Sequence, residues 1–434
     1  MQTSETETGS QPRLERSLSL WQVTISGVGI VIGAGIYVLV GEAAAEAGSI
    51  VWAAFIVAAI LAGLTGLSYA ELAGLFPSAG AEFEFARRAF NEVTGFLVGW
   101  LMVAGNVVGA GAVALGFARY ARHFVDLDER VLAVLLLAVL ASAVSASVRQ
   151  WIWLTTALVI LEVGGLLLVI VVGAQHVGER SLLDGSAVGV MSGAALVFFA
   201  FIGFDEVVTL SDETKDPARV IPRALLLALG ISTVLYVAVA IAAVSVVDWR
   251  LLASSERPLA LVLGSDGDTG VVDVIAWLAL ASTTSTVLLL ITAASRLLYS
   301  MARGGSLPRV IGSVSERTRA PWVATWIVFA VAAAFACSGQ LNLVAAVTDF
   351  SVYAVFIAVN LAVLRLRRTM PDAPRSMLAG PSFGGWPITP ILGMLATVAM
   401  IAFLKPAAWA VGAALLIAGL AVRVSQSGTR ARRS

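Results

Sequence analysis

The sequence has few charges, one cysteine and two histidines, and each shortage excludes a class of protein. Only 13% of the 434 residues are charged, about half the share of a soluble domain, whereas 59% are hydrophobic. One cysteine excludes an internal disulfide, and His123 and His176 lie too far apart to form a metal-ligand pattern. The net charge of zero provides no overall field that would attract nucleic acid. The composition predicts an integral membrane protein without a cofactor and without a nucleic-acid partner.

Long apolar runs are abundant, and twelve of them approach or exceed the roughly 20 residues that a membrane-spanning helix needs. The predicted spans are 21–46, 51–75, 94–122, 131–148, 152–175, 187–212, 222–247, 271–301, 321–338, 341–366, 386–404 and 406–424. Residues 1–19 are polar and lack the short apolar core of a signal peptide. We therefore expect two polar tails, 1–19 and 425–434, around the spans.

The distribution of basic residues orients these spans. If the N-terminus lies inside, the inside segments hold 20 Lys and Arg residues and the outside segments hold seven. Such an excess marks the cytoplasmic side, so we expect both termini to be cytoplasmic. Arginine far outnumbers lysine and the loops are compact, which indicates a prokaryotic plasma membrane. One outside loop contains an apolar stretch, 258–263, which either folds back onto the helices or is an ordinary loop.

Glycines interrupt the first predicted span. Gly33, Ala34 and Gly35 follow one another there, and clustered small residues weaken a helix and let its backbone open. Inside a membrane, free backbone N–H and C=O groups are tolerated only where they line a protein cavity. The alternative explanation is close helix packing through small residues.

The sixth predicted span carries a second interruption. Gly203, Asp205 and Glu206 stand inside an otherwise apolar run. Broken helices at matching positions of two halves point to a transport site at the bilayer midplane. Because each half has five helices, an odd number, the second half begins on the opposite side of the membrane and has the opposite orientation. The predicted units are a first five-helix repeat over 20–175, an inverted second repeat over 187–366, and two additional helices over 386–424.

Several motifs resemble those of the amino acid–polyamine–organocation transporter superfamily over nearly the whole chain. In chain order they are 33–36, 77–81 with Phe83 and Phe85, 199–205, 212–223, 296–303, 359–363 and 387–393. The resemblance implies an all-α integral membrane fold with discontinuous helices 1 and 6. It also implies alternating access around a central site.

The resemblance further implies where an amino acid would bind. Its carboxylate would meet backbone N–H groups at the N-terminus of a half-helix, where donors are free and the helix dipole favours an anion. These donors are the N–H groups of Ala34, Gly35 and Ile36, next to Gly33. The ammonium would meet the carbonyl groups of Val31, Phe201 and Ile202, next to Gly203.

Two further positions bear on the substrate. Phe199 stands where the superfamily often has an aromatic gate, although a lipid-facing side chain is the alternative. The third span reads Gly105-Asn106, whereas cationic amino acid transporters of the superfamily often have an acid near this glycine. We therefore expect a neutral substrate, with Asn106 in the site.

Glu162 lies in the middle of the fifth span, and an ionisable residue at this depth is a functional-site hypothesis by default. Relatives carry lysine here, where sodium-coupled members of the superfamily have a cation site. A carboxyl group instead takes a proton, coordinates a cation, or stays neutral and bonds a neighbouring helix. Asp205 is the second coupling candidate, and Glu206 is expected to face another side. Asp212 and Glu213 are expected to form a cytoplasmic gate with Arg or Lys.

The eighth span contains hydroxyl groups at Ser282, Thr283 and Thr286. By resemblance they form a wall of the site and a sodium position. Alternatively they bond carbonyl groups of their own helix. The proton is the preferred coupling ion and sodium remains possible.

The sequence thus predicts a secondary active transporter that imports a neutral amino acid with protons, as a monomer or homodimer in membrane lipid. The alternative is an exchanger or facilitator for an amino acid, a polyamine or another organic cation, without proton coupling. A channel or a nutrient sensor also remains open. We expect no enzyme, because no His-Glu-x-x-His, facing aspartate pair or Gly-x-Ser-x-Gly pattern occurs at membrane depth.

Overall fold

A computed structural model describes residues 16–33, 35–146, 148–255, 258–264, 269–338, 341–383, 386–401 and 406–431. The helices in these ranges are α1 (Leu20–Val31), α2 (Gly35–Ala47), α3 (Val51–Leu75), α4 (Ala81–Ala89), α5 (Glu92–Ala121), α6 (Glu129–Ala146), α7 (Val148–Ala174), α8 (Ala187–Val197), α9 (Pro217–Val246), α10 (Trp249–Ser254), α11 (Pro258–Val262), α12 (Thr269–Arg303), α13 (Trp322–Ser338), α14 (Leu341–Thr369), α15 (Ile388–Ile401) and α16 (Pro406–Ala431). Short 3₁₀ helices occupy Gly48–Ile50, Phe198–Phe201, Phe204–Glu213 and Arg309–Gly312. One antiparallel hairpin pairs β1 (Ser382–Phe383) with β2 (Trp386–Pro387).

The described part of the chain is a membrane-type helix bundle. Seven helical stretches are long and apolar enough to cross a membrane: Leu39–Leu75, Glu92–Ala121, Glu129–Ala146, Trp153–Ala174, Pro217–Val246, Ala276–Arg303 and Phe350–Thr369. Shorter apolar helices are Leu20–Val31, Ala187–Val197, Trp322–Ser338, Ile388–Ile401 and Ala408–Val424. Large apolar side chains such as Val188 and Ile417 point outward and are mostly exposed, as a lipid-facing surface requires. The prediction of an all-helical, multi-pass membrane protein is confirmed.

The first predicted span is interrupted where its glycines cluster. α1 ends at Val31 and α2 begins at Gly35. Close helix packing does explain Gly29, one turn before the break, since a Cβ on Gly29 would lie 2.1 Å from the Val159 side chain of α7. Gly33, in contrast, lies in the break itself. The glycines therefore serve both helix packing and helix interruption.

The sixth predicted span is also interrupted, and the two broken helices pack against each other. α8 ends at Val197, and the chain continues as 3₁₀ helix on both sides of Gly203. α2 packs along α8, while α1 packs against the 204–213 segment. Small residues allow this approach, because a Cβ on Gly189 of α8 would lie 2.3 Å from the Glu46 carbonyl oxygen. The two breaks consequently lie side by side in the bundle.

Two helix starts differ from the sequence prediction for reasons that the structure shows, and the apolar loop stretch is helical. α9 begins at Pro217, five residues before the predicted start, with proline in the first turn where its missing N–H is harmless. α15 begins at Ile388 and not at 386, because residues 386–387 pair in the hairpin. The apolar loop stretch forms α11, which folds back onto α2 and buries Leu259.

A buried carboxylate fixes one end of the bundle. Glu71 at the end of α3 accepts hydrogen bonds from Arg367 (2.5 Å), from Arg375 (3.0 Å) and from the backbone N–H of Ala379 (2.7 Å). Glu71 is 1% exposed, so these charge-assisted contacts replace its hydration. They tie α3 to the end of α14 and to the loop that follows it.

Replacing Glu71 with alanine should lower the free energy of unfolding by about 3–5 kcal/mol, because it leaves two largely buried guanidinium groups without their carboxylate. Denaturant titration of the purified protein in detergent measures the change. The matched control is Glu129→Ala, which removes a half-exposed pair with Arg122 and should cost about 0–1 kcal/mol. Equal losses in the two variants would contradict the importance assigned to the Glu71 cluster.

Candidate functional site

A small cavity of about 180 Å³ lies between the two breaks. It is smaller than the roughly 300–1,000 Å³ of pockets for drug-sized ligands, so it suits a small solute. Most of the lining is apolar, including Met102, Val113, Leu290 and Val352. Of the predicted site residues, the cavity is lined by Val31, Gly33, Gly35, Asn106, Ile202, Gly203, Asp205 and Thr286.

The other predicted binding residues lie near the cavity or outside the described residues. Ile36 is buried in the first turn of α2, and N–H groups of a first helical turn have no partner within the helix. The Phe201 ring is buried against Tyr236, with centroids 5.2 Å apart, so it does not line the cavity. Ala34 lies outside the described residues, as does the side chain of Phe199.

Tyr236 of α9 joins the two breaks, and the sequence analysis missed it. Its hydroxyl lies 2.5 Å from the Val31 carbonyl oxygen and 3.1 Å from that of Ala200, and the two oxygens share its single proton. The carbonyl oxygen of Val31, predicted to meet an ammonium group, is therefore occupied in this conformation. The sequence offered one indication of this role: a tyrosine stands in an apolar span, and a buried tyrosine hydroxyl usually needs a hydrogen-bond partner.

Polar side-chain atoms at the cavity lack partners. The side chains of Asn106, Glu206, Thr348 and Ser351 each have a buried nitrogen or oxygen without a hydrogen bond among the described residues, and all four line the cavity. Buried polar groups in proteins are normally bonded, so these atoms are available to bond water or a polar solute in the cavity. The hydroxyls of Thr348 and Ser351, on α14, were missed because the tenth span was considered only for its family motif.

The second break brings two carboxyl groups to the cavity. Asp205 accepts a hydrogen bond from the N–H of Gly203 (3.1 Å), whose φ of +115° is a conformation that favours glycine. The expectation that Glu206 faces another side was wrong, because the cavity adjoins the first turn of the 204–213 segment and both neighbouring acids of that turn line it. Asp205 thus stabilises the break, while one Glu206 oxygen has no bonded partner among the described residues.

Glu162 lies behind the first break. Its neighbours Ile160 and Leu161 on α7 are exposed, whereas Glu162 itself is fully buried and faces α12. One carboxyl oxygen contacts the Ser285 hydroxyl, and the other has no hydrogen-bond partner among the described residues. Ser285 also lies 3.1 Å from the carbonyl oxygen of Ser282.

The predicted hydroxyl groups of α12 have different surroundings. Ser282 lies 3.4 Å from the Ile32 carbonyl oxygen at the first break. Thr286 lines the cavity and donates to the Ser282 carbonyl oxygen (2.9 Å). Thr283 donates to the Ala279 carbonyl oxygen of its own helix (2.7 Å). Ser282 and Thr286 therefore adjoin the first break, while the Thr283 hydroxyl bonds a carbonyl group of its own helix.

Along α12, a buried ion pair lies between Leu290, which lines the cavity, and Tyr299, which lines a second pocket. Glu213 accepts two hydrogen bonds from Arg296 of α12, at 2.7 and 3.1 Å, and both side chains are fully buried. The predicted pairing of Glu213 with a basic residue is confirmed. Beyond this pair lies an open pocket of about 1070 Å³, here called the vestibule, whose lining includes Arg16, Phe83, Glu84, Arg88, Asp212 and Arg303.

Replacing Tyr236 with phenylalanine should lower the free energy of unfolding by about 1–3 kcal/mol, because it leaves two buried carbonyl groups without a donor. Thermal unfolding in detergent measures the loss, and hydrogen exchange should increase around residues 31 and 200. The matched control is Tyr37→Phe, because the buried Tyr37 hydroxyl has no partner among the described residues. A similar loss in the control would show that the bridge contributes nothing specific.

Comparison with known proteins gives the family. The family model described as amino acid permease matches residues 18–420. A branched-chain amino acid permease of Bacillus subtilis is 29% identical, over 89% of this chain and 88% of its own length. A methylthioribose transporter of the same organism is 29% identical, over 84% of each chain. A vacuolar cationic amino acid transporter of Arabidopsis thaliana is 28% identical, over 83% of this chain and 64% of its own length. The chain belongs to the amino acid permease family of amino acid–polyamine–organocation transporters.

Proposed function

We propose that this protein is a secondary active transporter that imports a neutral amino acid across the plasma membrane by alternating access, coupled to protons. The observation that carries the proposal is the meeting of two broken helices at a small, largely apolar cavity. The first turn of α2, whose N–H groups have no partner within the helix, and unpartnered polar side chains adjoin this cavity. Such a site can bind the charged groups common to all amino acids and leave the side chain to apolar walls.

The proposed topology has twelve spans with both termini in the cytoplasm. It counts α1 with α2, and α8 with the 204–213 segment, as two discontinuous spans. Residues 20–175 and 187–366 form the inverted repeats, and 386–424 form the two additional helices. The side-by-side position of the two breaks and the excess of basic residues in alternate segments support this arrangement. The vestibule then opens to the cytoplasm.

The proposed substrate pose places the carboxylate at the N-terminus of α2. The N–H groups of Gly35 and Ile36 start this helix, and its dipole favours an anion there. The carbonyl group of Ile202 and the polar groups of Glu206 and Asn106 lie at the opposite break. They are suited to the ammonium group, and the apolar walls favour an uncharged side chain.

The proposed coupling site is Glu162. A hydroxyl group carries one proton, so Ser285 makes full hydrogen bonds to both Glu162 and the Ser282 carbonyl only if Glu162 is protonated and donates. A neutral carboxyl group also avoids the cost of a buried, unpaired charge. Loss of this proton would leave Ser285 to donate either to the carboxylate or to the Ser282 carbonyl, and it would leave a buried charge beside the first break. Proton release and movement of the broken helix are thereby linked.

A second candidate function is exchange or facilitated transport of a cationic amino acid or another amine. It is favoured by the carboxyl groups of Asp205 and Glu206 at the cavity, where an organic cation could pair with them. The relatives named for branched-chain amino acids, cationic amino acids and methylthioribose show that the family accepts different solutes.

Uptake into proteoliposomes tests the proposed function. A panel of radiolabelled amino acids and amines is offered with an inward proton gradient, a sodium gradient or no gradient. We expect saturable uptake of a neutral amino acid that the proton gradient accelerates and the sodium gradient does not. Saturable uptake of an amine alone would establish the second candidate, and uptake that does not saturate would indicate a channel.

Glu162→Gln should strongly reduce accumulation driven by the proton gradient while exchange of substrate at equal pH continues, because glutamine keeps a polar contact with Ser285 but cannot release a proton. Parallel accumulation and exchange assays measure the two activities. The control is Glu179→Gln, which changes an exposed acid and should leave both unchanged. If Asp205→Asn abolishes accumulation and Glu162→Gln does not, the coupling site lies at the second break.

A further inference from the structure

Glu82 is a buried acid that the transport scheme above does not use. It lies on α4, the short helix between the second and third spans, and is fully buried. Neither carboxyl oxygen has a hydrogen-bond partner among the described residues. Glu84, two residues further on, instead pairs with Arg87 and Arg88. An ionised carboxylate without partners is strongly disfavoured, so Glu82 needs a bound proton or a cation in this conformation.

Other acids, not bases, surround Glu82. Asp205 and Glu206 of the second break interact with it electrostatically, as does the Tyr69 hydroxyl of α3. The Tyr69 hydroxyl does not reach hydrogen-bonding geometry with Glu82. α5, which also packs against α4, contributes Asn106, and the side chain of Asn106 interacts with Glu206. We call Glu82, Asp205 and Glu206 the carboxyl cluster.

The basic residues on the remaining neighbours of α4 have other partners. α12 contributes Arg296, which pairs with Glu213, and Arg303, which contacts Tyr299. α14 contributes Arg365, whose guanidinium stacks 5.5 Å from the Phe90 ring centroid. Burial raises the pKa of the Glu82 carboxyl to about 8, and the nearby Asp205 adds to this effect. Glu82 is therefore neutral below about pH 8 in this conformation.

The carboxyl cluster lies between two water-accessible spaces. On one side, Asp205 and Glu206 line the central cavity. On the other, Phe83 and Glu84, the next residues along α4, line the vestibule. A small shift of α4 relative to the 204–213 segment would carry Glu82 from its buried position to the vestibule. In water its pKa would return toward the ordinary value of about 4.3, and the proton would leave.

We propose that the carboxyl cluster is a second proton site, separate from Glu162, in which Glu82 releases the proton to the vestibule in each transport cycle. The proton arrives at Glu206 or Asp205 from the central cavity and moves to Glu82 while the cluster is closed. It passes to water when the vestibule side opens. No bond other than the O–H bond changes. The inference rests on the proposed proton-coupled transport and adds one proton to each cycle.

The first experiment measures proton movement per substrate. Proteoliposomes containing a pH dye report internal acidification while radiolabelled substrate enters. Glu82→Gln should lower the ratio of protons to substrate about twofold, since one of two proton sites is lost, and exchange at equal pH should continue. The matched control is Glu84→Gln on the same helix, which should keep the wild-type ratio. An unchanged ratio in Glu82→Gln would overturn the release role.

The second experiment detects the proton without any transport. Infrared difference spectra of the protein in liposomes, recorded between about pH 6 and about pH 10, bracket the Glu82 pKa of about 8. Protonated-carboxyl absorbance should fall as the pH rises, and Glu82→Gln should lose the part of this change that belongs to Glu82, while the part from Glu162 remains and Glu84→Gln keeps both. A pH difference spectrum of Glu82→Gln that equals that of the wild type would overturn the proton site. Wild-type uptake without proton movement would overturn the proposed coupling and the release role, while the infrared result would still decide whether Glu82 holds a proton.

Discussion

A backbone N–H or C=O group inside a membrane bundle needs a partner, and the centre of this protein is organised by two places where helical partners are missing. At the first break α1 ends at Val31, and at the second the chain turns at Gly203. Tyr236 supplies a donor to one carbonyl group from each break. The N–H groups that begin α2 have no such partner within their helix. They adjoin a cavity, which is the setting in which open backbone groups are tolerated at membrane depth.

Burial divides the acidic residues into two groups. Glu71 and Glu213 are buried with arginines and several hydrogen bonds, so they hold segments together as stable charge pairs. Glu162 and Glu82 are equally buried, yet no described basic residue pairs with either side chain. A paired carboxylate keeps its charge, whereas an unpaired one is best stabilised as the neutral acid. The first group suits rigid contacts and gates, and the second suits proton binding and release.

The residues that line the cavity explain why membership of the family does not determine which substrate binds. Its walls are mostly apolar, which suits a neutral side chain, but Asp205 and Glu206 lie at one end. If these acids are protonated, the site presents polar neutral groups to an ammonium or a hydroxyl. If they are ionised, the same site attracts a second positive charge. On the proposed function, the charge state of the second break would decide which solute binds, and relatives are named for both kinds of amino acid.

The sequence by itself determined the class of the protein, the order of its helices and the positions of both breaks. These features follow from local properties, since apolar length defines a span and clustered glycines or acids within a span define an interruption. It could not distinguish Glu82 from Glu84, because both lie in the same short helix and only packing decides that one is buried and the other paired with arginines. It misplaced Glu206 because helices from other parts of the chain determine where the cavity lies around the 204–213 segment. It missed Tyr236 because the two carbonyl groups that it joins belong to distant parts of the chain. Local composition determines where a helix can form or break. The partners of a buried polar group depend instead on which helices pack together, and only the tertiary structure decides which helices do so.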